Sequence, residues 1–94
     1  MADMIEKVFA IIEDRKANPK EGSYTNRLLE AGEDEIVKKV GEEAIEVIVA
    51  AKGQGDERLI SEVADLTYHC LVLLASRGLS PADISQELER RYDR

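Results

Sequence analysis

Two segments of about twenty residues, 34–52 and 57–77, stand only Gly53-Gln54-Gly55-Asp56 apart, and each is apolar around most of its circumference. At about 100° per residue, Ile36, Val40, Val47, Ala44, Ala51, Val37 and Ile48 sweep out one side of the first segment, and Ile45 and Val49 occupy another. The second carries Leu66, Leu73, Cys70, Val63, Leu74 and Val72 over most of its circle. A helix that is apolar nearly all round is a buried helix, so the chain has to enclose both. Their polar residues are confined to narrow strips: Lys38, Lys39, Glu42, Glu43 and Glu46 on the first, and Arg58, Glu62, Asp65, His69 and Ser76 on the second. Whatever chemistry these segments offer lies in those strips.

The rest of the chain reads as shorter helices. Pro19, Gly22, Gly32, Gly53, Gly55, Gly78 and Pro81 break it at helix-sized intervals, and strand-like alternation is absent. Residues 3–18 form an amphipathic helix with Asp3 as N-cap and Ile5, Val8, Phe9 and Ile12 on one face. Residues 20–25 read as a loop leading to a short turn of helix, Arg27-Leu28-Leu29-Glu30, with Thr25 as a candidate cap and Gly32 as its stop. Asp56 is the expected cap of the next long helix. Ser80-Pro81-Ala82-Asp83 opens a last helix to about 92, and Arg90-Arg91-Tyr92-Asp93-Arg94 is its solvated basic end. The expected fold is a single all-α domain over residues 1–94, an antiparallel bundle of four to five helices. Because the flanking helices are too short to cover both central ones, homodimerisation is expected to complete it.

Charge narrows the partners. Thirteen basic against twenty acidic residues give a net charge of -7, which opposes a nucleic-acid backbone, and four aromatics are too few for base-stacking platforms. No uninterrupted apolar run approaches the roughly 18 residues of a membrane span, and the N-terminus lacks a signal-peptide pattern; a cytoplasmic protein with no membrane partner is expected. The lone Cys70 excludes an internal disulfide and reads as a small core residue.

Glu43 and Glu46 are three apart and so share a helix face; Glu62 and Asp65 repeat the spacing on the next helix, with Glu42 beside the first pair. A short connection makes the helices neighbours, so four carboxylates are expected to converge. Two charges about 4 Å apart repel by roughly 4 kcal/mol at an effective dielectric of about 20, which calls for a cation. An oxygen-only donor set favours magnesium, or manganese, over zinc or iron, and such an ion would attract phosphate to an acidic protein. The competing reading is a solvated acidic face neutralised by Lys39 and Arg58.

Glu42-Glu43-Ala44-Ile45-Glu46 followed by Glu62-Val63-Ala64-Asp65 resembles the acidic signature of the all-α nucleoside-triphosphate pyrophosphohydrolases, the MazG-like superfamily. Gly22-Ser23-Tyr24-Thr25, Lys38-Lys39-Val40-Gly41-Glu42-Glu43-Ala44 and Ala64-Asp65-Leu66-Thr67-Tyr68-His69 narrow the resemblance to the phosphoribosyl-ATP pyrophosphohydrolases, over roughly residues 5–92. That resemblance implies hydrolysis of phosphoribosyl-ATP to phosphoribosyl-AMP and pyrophosphate, the second step of histidine biosynthesis, with no room for the cyclohydrolase domain fused in some members. Metal held by Glu43, Glu46, Glu62 and Asp65 would neutralise the triphosphate, and Glu42 or Glu46 would activate the water. Lys38 and Lys39 are candidates for phosphate oxygens, Tyr24 and Thr25 for ribose or base, and His69 for phosphate or for holding an acid in place. Gly41, in mid-helix, suggests close approach by another helix or by substrate. A nucleotide house-cleaning pyrophosphatase is the alternative enzyme, and a helical dimerisation module the non-enzymatic one.

Overall fold

Five helices account for most of residues 3–93, the part of the chain described by the computed structural model: α1 (Met4–Ala17), α2 (Tyr24–Ala31), α3 (Glu33–Gly53), α4 (Asp56–Ser76) and α5 (Pro81–Tyr92). No strand occurs among the described residues; Arg94, in the expected basic tail, lies outside them. Asp3 caps α1 by accepting from the Glu6 N–H at 2.9 Å, and the Asp83 carboxylate accepts from the Ser80 N–H at 2.9 Å at the start of α5.

Three starts differ from the sequence expectation. α2 begins at Tyr24, not after Thr25, because Ser23 is the cap: its hydroxyl accepts from the Asn26 N–H at 3.2 Å. Thr25 is therefore inside the helix. Gly32 serves as both the end of α2 and the entry to α3 at φ 99°. Its N–H donates to Leu28 at 3.2 Å and its carbonyl accepts from Ile36 at 3.2 Å, a reversal in the left-handed region that favours glycine. Gly55, at φ 86°, rather than Asp56, occupies the cap position of α4.

α4 is the hub. It packs along α3, to which only Gln54 and Gly55 join it, and it also meets α1 and α2. Leu71, Val72 and Ala75 on α4 enclose Ile12, Leu28 and Ile36, with Val8, Phe9 and Leu29 against them. By length and composition α4 is apolar enough to cross a membrane, with a mean hydropathy of 1.3. Yet three of its polar residues, Glu62, Asp65 and His69, take part in the polar contacts described below, and α1, α2 and α3 pack on it.

The connection between α1 and α2 is tied down by Asn26, which is buried. Its amide NH2 donates to the Arg15 carbonyl at 2.8 Å, and its side-chain oxygen accepts from the Lys20 N–H at 2.9 Å. Lys16 reaches across to the Ala75 carbonyl at 2.8 Å, placing a cation at the carbonyl end of α4.

Much of the apolar surface remains uncovered. Ile45 and Ile48 are about 60% exposed on α3, and Ile60 is 69% exposed on α4. The accessible surface of 6763 Å² exceeds by roughly 1,300 Å² the area usual for a folded monomer of this mass. The radius of gyration, 14.5 Å, likewise exceeds the roughly 12 Å of a compact chain of this length. A groove of about 970 Å³ runs between α1, α4 and α5, with Phe9, Leu66, Cys70, Leu74 and Ile84 in its walls. Cys70 is half-buried there, and burial pushes its thiol pKa up.

A Cβ built on Gly41 would meet nothing within 4 Å among the described residues outside its own stretch of helix, so of the two approaches expected there, by another helix or by substrate, the first is not made by a helix among these residues.

Asn26→Ala is expected to cost about 1–2 kcal/mol, since it removes the partner of two part-buried backbone groups, the Arg15 carbonyl and the Lys20 N–H; Ser23→Ala should cost about 1 kcal/mol through the lost cap. Urea midpoints measure both. An Asn26→Ala protein as stable as the parent would show that this connection does not depend on the side chain.

Candidate active site

Three carboxylates converge where α3 meets α4. Oxygens of Glu43, Glu62 and Asp65 all lie within 4.8 Å of one another. Glu43 comes from the middle of α3; Glu62 and Asp65, three apart, come from one face of α4. Glu62 is buried, Glu43 half-buried and Asp65 exposed, so the cluster opens to solvent from a buried floor. At that spacing each ionised pair repels by about 3 kcal/mol or more at an effective dielectric of about 20.

Part of that strain is met by two cations. Arg58 pairs with Glu62 at 2.9 Å across one helical turn. Lys39 lies 3.5 Å from Glu42 and 3.8 Å from Glu43. The Lys39 pKa is raised, first by the nearby Tyr24 oxygen, against burial, which lowers it, and then by Glu42 and Glu43. The neutralised face expected of an ordinary acidic strip is thus partly present, but Asp65 and Glu46 have no ion-pair partner among the described residues. Lys39 and Arg58 are the two cations that the sequence offered for this strip, and both are paired with its acids.

The donor set suits a hard divalent cation: oxygen ligands from carboxylates, with the solvent side open for water and phosphate. Opposite ligands of magnesium stand about 4.2 Å apart, so oxygens already within 4.8 Å need only small side-chain shifts to close on an ion. The three residues fit one.

Of the other residues singled out from sequence, Glu42 is exposed and paired with Lys39. Glu46, a turn beyond, is exposed and outside the convergent trio. Lys38 is exposed on α3. The remaining three gather at the α2–α4 contact. Tyr24, 39% exposed, has its hydroxyl 3.0 Å from Nε2 of His69. Nδ1 of His69 lies 2.7 Å from the Asp65 carbonyl. Thr25 and Tyr68 share a hydrogen bond between hydroxyls, and burial chiefly raises the Tyr68 pKa. Tyr24 stacks on Tyr68 at 6.3 Å, and His69 stands edge-on to both rings. Arg27 sits over the Tyr24 ring at 5.5 Å. Thr25 and His69 are buried and bonded to protein; Tyr24 alone of the three is open. Asn26, which sequence reading passed over, anchors this corner from behind.

The large α1/α4/α5 groove has none of the three carboxylates in its walls, so the polar chemistry and the apolar opening are separate features.

Compared with known proteins, residues 5–92 match the family described as phosphoribosyl-ATP pyrophosphohydrolase. A phosphoribosyl-ATP pyrophosphatase of Clostridium botulinum strain Hall is 53% identical over 92 residues, covering 98% of this chain and 84% of the relative. One from Sulfurisphaera tokodaii is 54% identical over 90 residues, 96% of each chain. The histidine biosynthesis bifunctional protein HisIE of Caldanaerobacter subterraneus subsp. tengcongensis is 50% identical over 90 residues, which are 44% of that longer protein.

Arg58→Met is expected to lower stability by about 1–2 kcal/mol, because it leaves the buried Glu62 without its cation. Adding Glu62→Gln should restore most of the loss. Urea unfolding of the two variants tests this; equal losses in both would mean that the ion pair does not hold the seam.

Proposed function

The chain belongs to the phosphoribosyl-ATP pyrophosphohydrolase family, and from that premise we propose that it hydrolyses phosphoribosyl-ATP to phosphoribosyl-AMP and pyrophosphate in histidine biosynthesis. The observation that carries this reading is the convergence of Glu43, Glu62 and Asp65 from two helices in a chain matched along nearly its whole length. Those three, with Glu46 one turn beyond Glu43, would hold magnesium or manganese. A hard divalent ion there supplies neutralisation of the triphosphate and polarises the phosphorus–oxygen bond that breaks.

The chain's own residues do the rest. Water attacks at the α–β phosphate bridge and pyrophosphate leaves, so a base must take the water's proton. Glu42 is tied to Lys39 at 3.5 Å, whereas Glu46 forms no ion pair among the described residues, which makes Glu46 the freer base. Lys39 can exchange its carboxylate partners for phosphate oxygens; Lys38, exposed but about 100° round α3 from Lys39, would reach phosphate only from the far edge of the acidic arc. The cytoplasm, where diffusible nucleotides are available, is the proposed setting. Neither nucleic acid nor a bilayer is among the proposed partners.

The same reading takes α3 and α4 as arms of an antiparallel hairpin and has a second copy cover their bare apolar face. At about 100° per residue, Val37, Gly41, Ile45, Ile48 and Val49, with Lys38 among them, share one exposed sector of α3, which adjoins at Val49 the arc that bears Glu42, Glu46, Lys39 and Glu43. Open space at Gly41 allows another backbone to come close. An excess surface of roughly 1,300 Å² is of the size that an obligate dimer buries.

With magnesium, pyrophosphate release should be fastest from phosphoribosyl-ATP in a panel that includes dUTP and dCTP, and Glu43→Gln should lower it about a hundredfold or more. Preference for a free deoxynucleotide would reject the assignment. Magnesium at a hundred times its Kd should stabilise the fold by about 2.7 kcal/mol, a Tm rise of roughly 10 °C or more. Asp65→Asn should remove that rise. If melting is indifferent to metal in the parent protein, the metal assignment fails.

Light scattering at micromolar concentration should give twice the chain mass, and Ile45→Glu should halve it. A monomeric parent protein refutes the assembly.

A further inference from the structure

The hydrogen bonds of the Tyr24–His69 pair have a fixed direction. Nδ1 of His69 lies 2.7 Å from the Asp65 carbonyl, and a carbonyl can only accept, so Nδ1 carries the proton. In the neutral imidazole Nε2 is then an acceptor, and the Tyr24 hydroxyl, 3.0 Å away, must donate to it. His69 is buried at 5% exposure, and both ring nitrogens are taken, so the imidazole is not available to a ligand. Tyr24 keeps 39% of its surface open, and among the described residues its hydroxyl has no other hydrogen-bond partner. What it offers outward is an oxygen whose only proton is already committed.

An oxygen of that kind discriminates. Triphosphate oxygens at neutral pH are almost wholly acceptors and gain nothing from it, whereas a sugar hydroxyl can donate to it. Resting on the functional reading above, we propose that Tyr24 is a specificity-determining residue that accepts a hydrogen bond from a sugar hydroxyl of the substrate, and that His69 is a positioning residue that fixes its direction. The placement agrees. Through His69 the Tyr24 hydroxyl is only two hydrogen bonds from the Asp65 backbone, so its oxygen lies on the side of α4 that carries an acid of the carboxylate cluster. His69 springs from the turn of α4 just after Asp65 and is hydrogen-bonded to that residue's backbone, so one rigid helix sets both the acid and the acceptor.

Two hydroxyl sources exist, the adenosine ribose and the added phosphoribosyl group, and kinetics separates them. Steady-state constants for phosphoribosyl-ATP, with ATP and pyrophosphate as competing ligands and magnesium present, are measured for the parent protein, Tyr24→Phe, His69→Asn and His69→Gln. Tyr24→Phe should raise KM by about three- to tenfold, the range expected for one neutral hydrogen bond, with kcat within about twofold and inhibition by pyrophosphate unchanged. An equal loss for ATP assigns the hydroxyl to the adenosine ribose; an ATP constant that stays put assigns it to the phosphoribosyl group.

His69→Asn can still donate to the Asp65 carbonyl but offers Tyr24 no acceptor, so it should raise KM as Tyr24→Phe does. His69→Gln, whose amide oxygen reaches the Nε2 position, should recover most of that loss. If Tyr24→Phe leaves KM unchanged, weakens pyrophosphate equally, or if Gln and Asn at position 69 behave alike, the inference is overturned. Those failures occur with a parent protein that turns over phosphoribosyl-ATP. A parent protein inert toward that substrate sinks the functional reading, and this one with it.

Discussion

Like-charge repulsion at the contact between α3 and α4 is the constraint around which the molecule is arranged. Glu43, Glu62 and Asp65 are held within 4.8 Å by two helices whose apolar residues pack against each other, and burial of those residues opposes what the carboxylates would do alone. Arg58 and Lys39 relieve part of the repulsion from the helices' own surfaces. Both cations are one turn from the acids they serve, so neither depends on a distant loop. Since Arg58 is 54% exposed and Lys39 29%, both can yield to solvent or to a ligand without unpacking the core.

A second arrangement backs the first. α2 is only eight residues long and would not be stable alone, yet it carries Tyr24, Thr25 and Asn26. Each is fixed by a bond to another element: Tyr24 to His69, Thr25 to Tyr68, and Asn26 to the backbone on either side of the α1–α2 connection. Among the described residues, no buried polar side-chain atom is left without a partner. A buried polar network of this kind is costly if any member is unpaired, so the hydrogen bonds fix the short helix in position alongside Leu28, which α4 encloses in the core.

The sequence made the helices legible because glycine, proline and caps mark their ends, and because the acids repeat at a spacing of three on two successive segments. It also pointed to Glu43, Glu62 and Asp65 as neighbours. Less legible were features that depend on three-dimensional partners. Ser23 and Thr25 are both able to cap, and only the position of the Asn26 N–H distinguishes them. Asn26 looks like any loop asparagine until the chain on either side folds back on it. From the sequence His69 can touch phosphate, hold an acid in place or, as a lone helical histidine more often does, serve as a structural hydrogen-bonder, and its burial and its two occupied nitrogens fit the last. Glu46 shares the face of Glu43 by spacing, but a long side chain near the rim can point to water, as it does here.

The circumference of α3 divides into three sectors with different tasks. Ile36, fully buried, with Val40 and Val47 beside it, faces the core, and Glu43 borders that face between Ile36 and the buried Ala50. Glu42, Glu43 and Glu46 fill a second arc, with Lys39 among them. Val37, Ile45, Ile48 and Val49 form the third, bare of any contact that would hide them. Because a helix is rigid on the scale of one turn, seating the third sector against another surface fixes the angle at which the second meets α4, even though no residue belongs to both. In the proposed dimer, the backbone of that one helix would transmit contacts on the apolar sector to the carboxylates. A substitution on the apolar sector that loosens α3 should reach the carboxylates as a change in their spacing, without altering any charge.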